Sequence, residues 1–233
     1  MSGRPIVKAM IKNLHDLVRK VVLAESGVGA GFWVKSGTGR ILSFKKMKPY
    51  LQSLDVGLTQ KDLDFLEPRL DFFRYDDFVK YDQLIIQECA KERVNPALFK
   101  AMGLLESGLG RSMKGDDSQK GFIHMTRDTY DSYFSDDVGY NEREETMLSP
   151  ERSMPICVRH VKYLIDKFKV PEEIIFAVKN GENKVSKSIK GMEKEKADKL
   201  KTSMIDNSKY TQAALALRQA FSKSGPLPVG GPF

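Results

Sequence analysis

Asn95-Pro96-Ala97-Leu98-Phe99-Lys100-Ala101-Met102-Gly103-Leu104-Leu105-Glu106-Ser107-Gly108 is the stretch from which the fold is read. Asparagine followed by proline marks a helix start. The Asn side chain takes up a free backbone N–H, and proline suits the first helical position, where no N–H is needed. Leu98, Met102, Leu104 and Leu105 carry the helix to Glu106, and Gly108 and Gly110 end it. An acid at the end of such a helix has two readings. The commoner is a helix-end carboxylate in water. The other is a carboxyl pressed against apolar neighbours, where desolvation of the charged form lets it keep a proton near neutral pH and act as a general acid.

Outward from this stretch the pattern stays helical. Tyr81 to Arg93 sets Leu84, Ile85, Cys89 and Ala90 on one side, and Arg111 to Lys120 reads as a charged loop. Further helices are expected at Arg127–Tyr133, Met154–Phe168, Glu172–Val178, Glu193–Thr202 and Lys209–Phe221. Upstream, Val7, Met10, Ile11, Leu14, Leu17, Val18, Val21 and Val22 share one helical face after Pro5. Phe32-Trp33-Val34 and Arg40-Ile41-Leu42-Ser43-Phe44 flank Lys35-Ser36-Gly37-Thr38-Gly39 as a small hairpin, with Trp33 expected in the core. Met47 to Lys80 returns to a helical pattern. The expected fold class is mainly α, with a small α/β or mixed N-terminal region at 1-80, a helical domain at 81-222 and a Pro/Gly-rich tail at 223-233. The boundary is placed near Tyr75 to Asp82, because nothing before it carries recognisable chemistry.

Composition narrows the function classes. The chain has 233 residues, 41% of them hydrophobic and 30% charged, which is ordinary for a globular protein with a real core. A net charge of +7 favours polyanions: nucleic acid, anionic lipid, or a bacterial wall rich in carboxylate and phosphate. The basic residues are interleaved with acids, as from Lys190 to Lys201, so they read as solvated helix faces and no nucleic-acid partner is expected. Cys89 and Cys157 sit in apolar helical patterns, which favours two buried thiols over one disulfide. His15, His124 and His160 have no metal-ligand spacing, so neither metal nor cofactor is expected. Met1 to Leu23 holds no uncharged apolar core of signal-peptide length, and no run reaches the length of a membrane span.

Four motifs follow one another in order over about 125 residues. The first is the Ala97-to-Gly108 helix with Glu106-Ser107. The second is Gly121-Phe122-Ile123-His124-Met125, with Thr129 after it. The third is Arg159-His160-Val161-Lys162-Tyr163-Leu164-Ile165-Asp166-Lys167-Phe168, then Pro171-Glu172 through Ala177-Val178-Lys179-Asn180-Gly181. The fourth is Ser208-Lys209-Tyr210-Thr211. Together they resemble the lytic transglycosylases of the soluble lytic transglycosylase and goose-type lysozyme superfamily. The resemblance implies a lysozyme-like helical domain over 81-222 and peptidoglycan as substrate. It implies Glu106 as catalytic acid, and Ser107, Gly121, Ile123, His124, Tyr130, Asn180 and Tyr210 as substrate-side residues.

It also implies a mechanism. Ordinary glycosidases flank the bond with two carboxyl groups. No clear partner accompanies Glu106, although Asp116, Asp117, Asp128 and Asp131 are near in sequence. The family route uses one acid: Glu106 protonates the oxygen between N-acetylmuramic acid and N-acetylglucosamine, and the substrate acetamido group stabilises the cation. Glu106 then activates the muramic C6 hydroxyl, leaving a 1,6-anhydro end. Three positions depart from the family pattern. His124 replaces a Gln, Val178 a Tyr and Lys179 an Asn, with Tyr130 or Tyr210 as the candidate substitute for the tyrosine. Peptidoglycan lies outside the cytoplasmic membrane, so the lack of an export signal leads to the expectation of a bacteriophage virion protein working with other virion proteins. Alternatives are an endolysin held in the host cytoplasm until lysis, a virion structural protein with a degenerate domain, and a polyanion-binding module.

Overall fold

The computed structural model describes residues 32–37, 39–54, 58–115, 119–168, 171–181, 193–206 and 208–223. The helix expected between Pro5 and Val22, the acids Asp116 and Asp117, and the tail from Ser224 onward lie outside the described residues. Two short strands come first, β1 (Trp33–Ser36) and β2 (Gly39–Leu42). Helices follow: α1 (Phe44–Gln52), α2 (Gln60–Leu70), α3 (Tyr75–Val79), α4 (Asp82–Glu92), α5 (Pro96–Ser107) and α6 (Arg127–Asp131). The remainder are α7 (Tyr140–Leu148), α8 (Pro150–Phe168), α9 (Pro171–Asn180), α10 (Lys194–Asp206) and α11 (Lys209–Lys223). The fold is mainly α with one small antiparallel sheet near its N-terminal side, as the sequence pattern indicates.

The hairpin pairs Trp33 with Leu42 and Ser36 with Gly39. Its second arm ends two residues earlier than the pattern indicates, because Phe44 already opens α1. The Phe44 backbone N–H donates to Asp71 Oδ1 at 2.9 Å, and the ring is buried. Trp33 is half-buried, set edge-on against Tyr75 and Phe78. Helix α7 has no counterpart in the sequence reading, since Tyr140-Asn141-Glu142-Arg143-Glu144-Glu145 shows no apolar stripe and the helix buries only Thr146 and Met147. Both cysteines are buried and free, and burial pushes the Cys157 thiol up to about 11.

Helix α5 is the axis of the molecule. Asn95 Oδ1 accepts the Leu98 N–H at 3.0 Å, Pro96 occupies the first turn, and Gly108 closes the C-terminus in the left-handed conformation. Every residue from Pro96 to Leu105 is buried, as expected of a helix wrapped on all sides. Within this buried run Lys100 donates to Asp82 Oδ1 at 2.5 Å and lies 4.1 Å from the centre of the Phe78 ring. Helix α11 packs on α5 and buries Ala213, Ala214, Ala216 and Ala220, small side chains that allow close approach of neighbouring helices.

One hydrophobic core runs from Leu42 to Ala220. It has no break at the expected boundary near Tyr75 to Asp82. Helix α2 packs on α11, the Phe78 and Phe221 rings meet edge to face at 5.7 Å, and Asp77 pairs with Arg111 at 2.9 Å. Residues 42–80 therefore complete the core of the helical domain. No helix among the described residues is long and apolar enough to cross a membrane.

Candidate active site

Glu106 sits in the last turn of α5, where the helix leaves the core. Its side chain is 2% exposed. Oε2 lies 3.2 Å from His124 Nδ1 and 3.4 Å from Lys179 Nζ. Oε1 is buried and has no hydrogen bond of good geometry from the described residues, with the Tyr210 hydroxyl within reach of the carboxyl. The Tyr210 hydroxyl, at the start of α11, is likewise buried and faces Glu106 without a well-formed hydrogen bond. Burial, and then the neighbouring Glu106 charge, push the Tyr210 phenol well above its ordinary range. Arg69, in the last turn of α2, is within electrostatic reach of both. Burial lowers its guanidinium, and the charges of Glu106 and Tyr210 work against that lowering.

The turn 121–125 carries His124 to Glu106 and is fastened at both ends. Lys120 and Met125 exchange backbone bonds at 2.9 and 2.7 Å, and the Gly121 N–H donates to the Met113 carbonyl at 3.1 Å. Ser107 fastens the middle: its hydroxyl donates to the Phe122 carbonyl at 2.8 Å and accepts the Gly110 N–H at 2.9 Å. His124 itself takes a positive φ of 40°, a conformation uncommon outside glycine. Its ring rests over Gly115, where an added Cβ would stand 2.7 Å from Nδ1.

Beside this cluster lies a groove of about 620 Å³, within the usual size range of ligand sites. Ile123, His124, Val178, Lys179 and Asn180 form part of its lining, and Asp128 is its carboxylate. Glu106 is not on the groove wall. Its two charged contacts, His124 and Lys179, are on that wall. Another part of the lining is aromatic. His160 stacks on Tyr163 with centroids 6.2 Å apart and meets the Tyr133 ring edge-on at 6.0 Å. Tyr163 is 45% exposed and so presents a ring to a ligand.

Among the substrate-side residues expected from the sequence, the fold brings His124, Ile123, Asn180 and Tyr210 to Glu106 or to the groove. Three others serve the framework instead. Ser107 is a buried strut whose hydroxyl is spent on backbone groups. Gly121, at φ +100°, packs where an added Cβ would meet Met147 at 2.5 Å. Tyr130 is buried and donates to Glu144, which Lys120 also engages. Of the two tyrosines, Tyr210 is the one that interacts with Glu106. Lys179 and Arg69 were not singled out as site residues by sequence reasoning. Lys179 showed itself only as a departure from a motif, and Arg69 comes from a segment that carries no motif. No protein-family model matches the chain, and no curated protein matches it either.

Proposed function

We propose that the protein is a peptidoglycan-cleaving lytic transglycosylase in which Glu106 is the single catalytic acid. The observation that carries this reading is the Glu106 carboxyl itself: desolvated and fixed through Oε2, with no hydrogen bond of good geometry to Oε1 from the described residues. A buried polar atom without a partner costs stability and is kept where a ligand supplies the missing bond. A sugar chain in the groove fits the aromatic lining, where Tyr163 and His160 offer flat faces to pyranose C–H groups. In this reading Glu106 protonates the glycosidic oxygen between N-acetylmuramic acid and N-acetylglucosamine. As carboxylate it then takes the proton of the muramic C6 hydroxyl, which closes on C1. Asp128 lines the groove, and a lysozyme-type hydrolysis assisted by it would leave reducing ends instead.

Digestion of purified sacculi followed by mass measurement of the fragments tests the reading. The expected products carry 1,6-anhydromuramic ends, and Glu106→Gln abolishes their release, by a hundredfold or more for loss of a general acid, without changing the melting temperature. A second reading is a virion structural protein with a degenerate domain. Lys179 favours it, since its Nζ lies against Glu106 at the edge of the groove, and so does Val178, which lines the groove where the resembled family carries tyrosine. Absence of any soluble fragment from sacculi would favour that alternative. Delivery to the wall by a phage particle is part of the proposal, and mass spectrometry of purified virions would test it.

A further inference from the structure

The His124 ring is held between two acceptors. On one side Nε2 lies 2.9 Å from the Ser112 carbonyl oxygen, which can only accept. On the other Nδ1 lies 3.2 Å from Glu106 Oε2. A neutral imidazole has one N–H. If it is on Nδ1, the bare Nε2 faces a carbonyl lone pair. If it is on Nε2, the bare Nδ1 faces a carboxyl oxygen, and the contact is attractive only when that oxygen carries a proton. Both contacts are satisfied in one condition: a proton on Nε2 and another between Nδ1 and Oε2. The pair is shielded from water, with side chains 8% and 2% exposed, so a lone-pair clash between Nδ1 and Oε2 would not be relieved by solvent.

We propose that His124 and Glu106 share one proton and act as a single acid, with the Ser112 carbonyl fixing the ring tautomer. His124 is then a positioning residue: it fixes Oε2 and holds the proton that Glu106 delivers. The proton balance is simple. The loaded pair gives one proton to the leaving oxygen and becomes neutral imidazole facing carboxylate. Abstraction of the C6 hydroxyl proton reloads it, so the pair ends the cycle as it began. The other charged and titratable groups facing the pair are Lys179 from α9, Tyr210 from α11 and Arg69 from α2, with Asp128 and His160 on the groove. The use of the proton in turnover rests on the transglycosylase reading; its location does not.

Two measurements on the full chain separate these claims. In histidine-labelled protein, nitrogen NMR near neutral pH is expected to show His124 Nε2 protonated, with Nδ1 displaced far from the signal of a bare ring nitrogen. In Glu106→Gln, Nδ1 should become a plain acceptor while Nε2 keeps its proton. A neutral Nδ1–H tautomer, or an Nδ1 signal identical in both proteins, overturns the shared proton whether or not the protein cleaves the wall. On sacculi, His124→Gln preserves an N–H donor to Oε2 but holds no transferable proton. It should lower kcat by roughly ten- to a hundredfold while KM changes little, and His124→Phe should do no better. Wild-type kcat in His124→Gln removes His124 from the acid. If wild-type protein cleaves nothing, the reaction reading falls and the NMR result still decides the proton.

Discussion

Substituting Gly103 by alanine sets two effects of opposite sign against each other. Gly103 lies inside α5, where alanine is the better helix former by about 1 kcal/mol. A Cβ built there stands 2.2 Å from Phe122 Cε1 and 2.8 Å from Cδ1. Carbon atoms in contact prefer about 3.5 Å or more, so the ring would have to retreat by roughly 1.3 Å (3.5 − 2.2) from that 2.2 Å approach. It has little room to do so. Phe122 is fully buried, stacked on Phe99 at 5.6 Å with planes 8° apart, and met edge-on by Tyr81 at 6.0 Å. Overpacking of this kind costs about 1–3 kcal/mol. With the helix gain subtracted, Gly103→Ala should destabilise by about 1–2 kcal/mol at the upper part of that range. For a chain of this length each kcal/mol lowers Tm by about 2–4 °C, so thermal unfolding should show a drop of roughly 2–8 °C. Urea unfolding should show a lower midpoint with unchanged slope. Because the Phe122 carbonyl is held by Ser107 and His124 follows two residues later, wall cleavage should fall as well. An equal or higher Tm would refute the reasoning, since helix propensity would then outweigh the contact.

Tyr130→Phe should cost about 1 kcal/mol, because it removes one donor from the part-buried Glu144 carboxylate, and leave kcat unchanged. Tyr210→Phe deletes a hydroxyl that faces Glu106 without a well-formed hydrogen bond and should change stability by less than about 1 kcal/mol while lowering wall cleavage; the reverse pattern in melting and kinetics would exchange their roles. Burial raises the Glu144 carboxyl, but the Lys120 and Tyr130 hydrogen bonds outweigh it and the net shift is downward. A depressed carboxyl contributes stability that is present above its unfolded pKa and lost as pH falls through the folded one. Glu144→Gln should therefore flatten the decline in stability below about pH 4.3, and an unchanged acid limb in denaturation curves would contradict this. A chain starting at Asp82 loses the apolar residues from Leu42 to Phe78 that α11 and its neighbours pack against. It should be insoluble or molten, and a cooperative, wild-type-like melting transition would show the helical part to be self-sufficient.

Much of the local structure was legible in the sequence because local rules act within a few residues. The Asn95 cap, Pro96 and Gly108 bound α5 where the pattern puts them, the hairpin turns between Ser36 and Gly39, and α8 ends at Phe168. Where a helix lacks an apolar stripe, as α7 does, periodicity carries no signal and only packing reveals it. The site divides the same way. Glu106 and His124 stand out as an acid ending an apolar helix and a histidine in a motif that resembles one with glutamine. Spacing along the chain could not show that Ser107 and Tyr130 spend their hydroxyls within the framework, since hydrogen-bond partners are chosen by three-dimensional proximity. Nor could it bring Arg69 toward Tyr210 and Glu106, or lay Lys179 against the carboxyl across 73 residues of chain. Amino-acid order determined which segments coil and which face of each is apolar. The closing of α2, α9 and α11 around the end of α5 decided which side chains meet, because burial and Coulomb interactions depend on distance in space rather than distance along the chain.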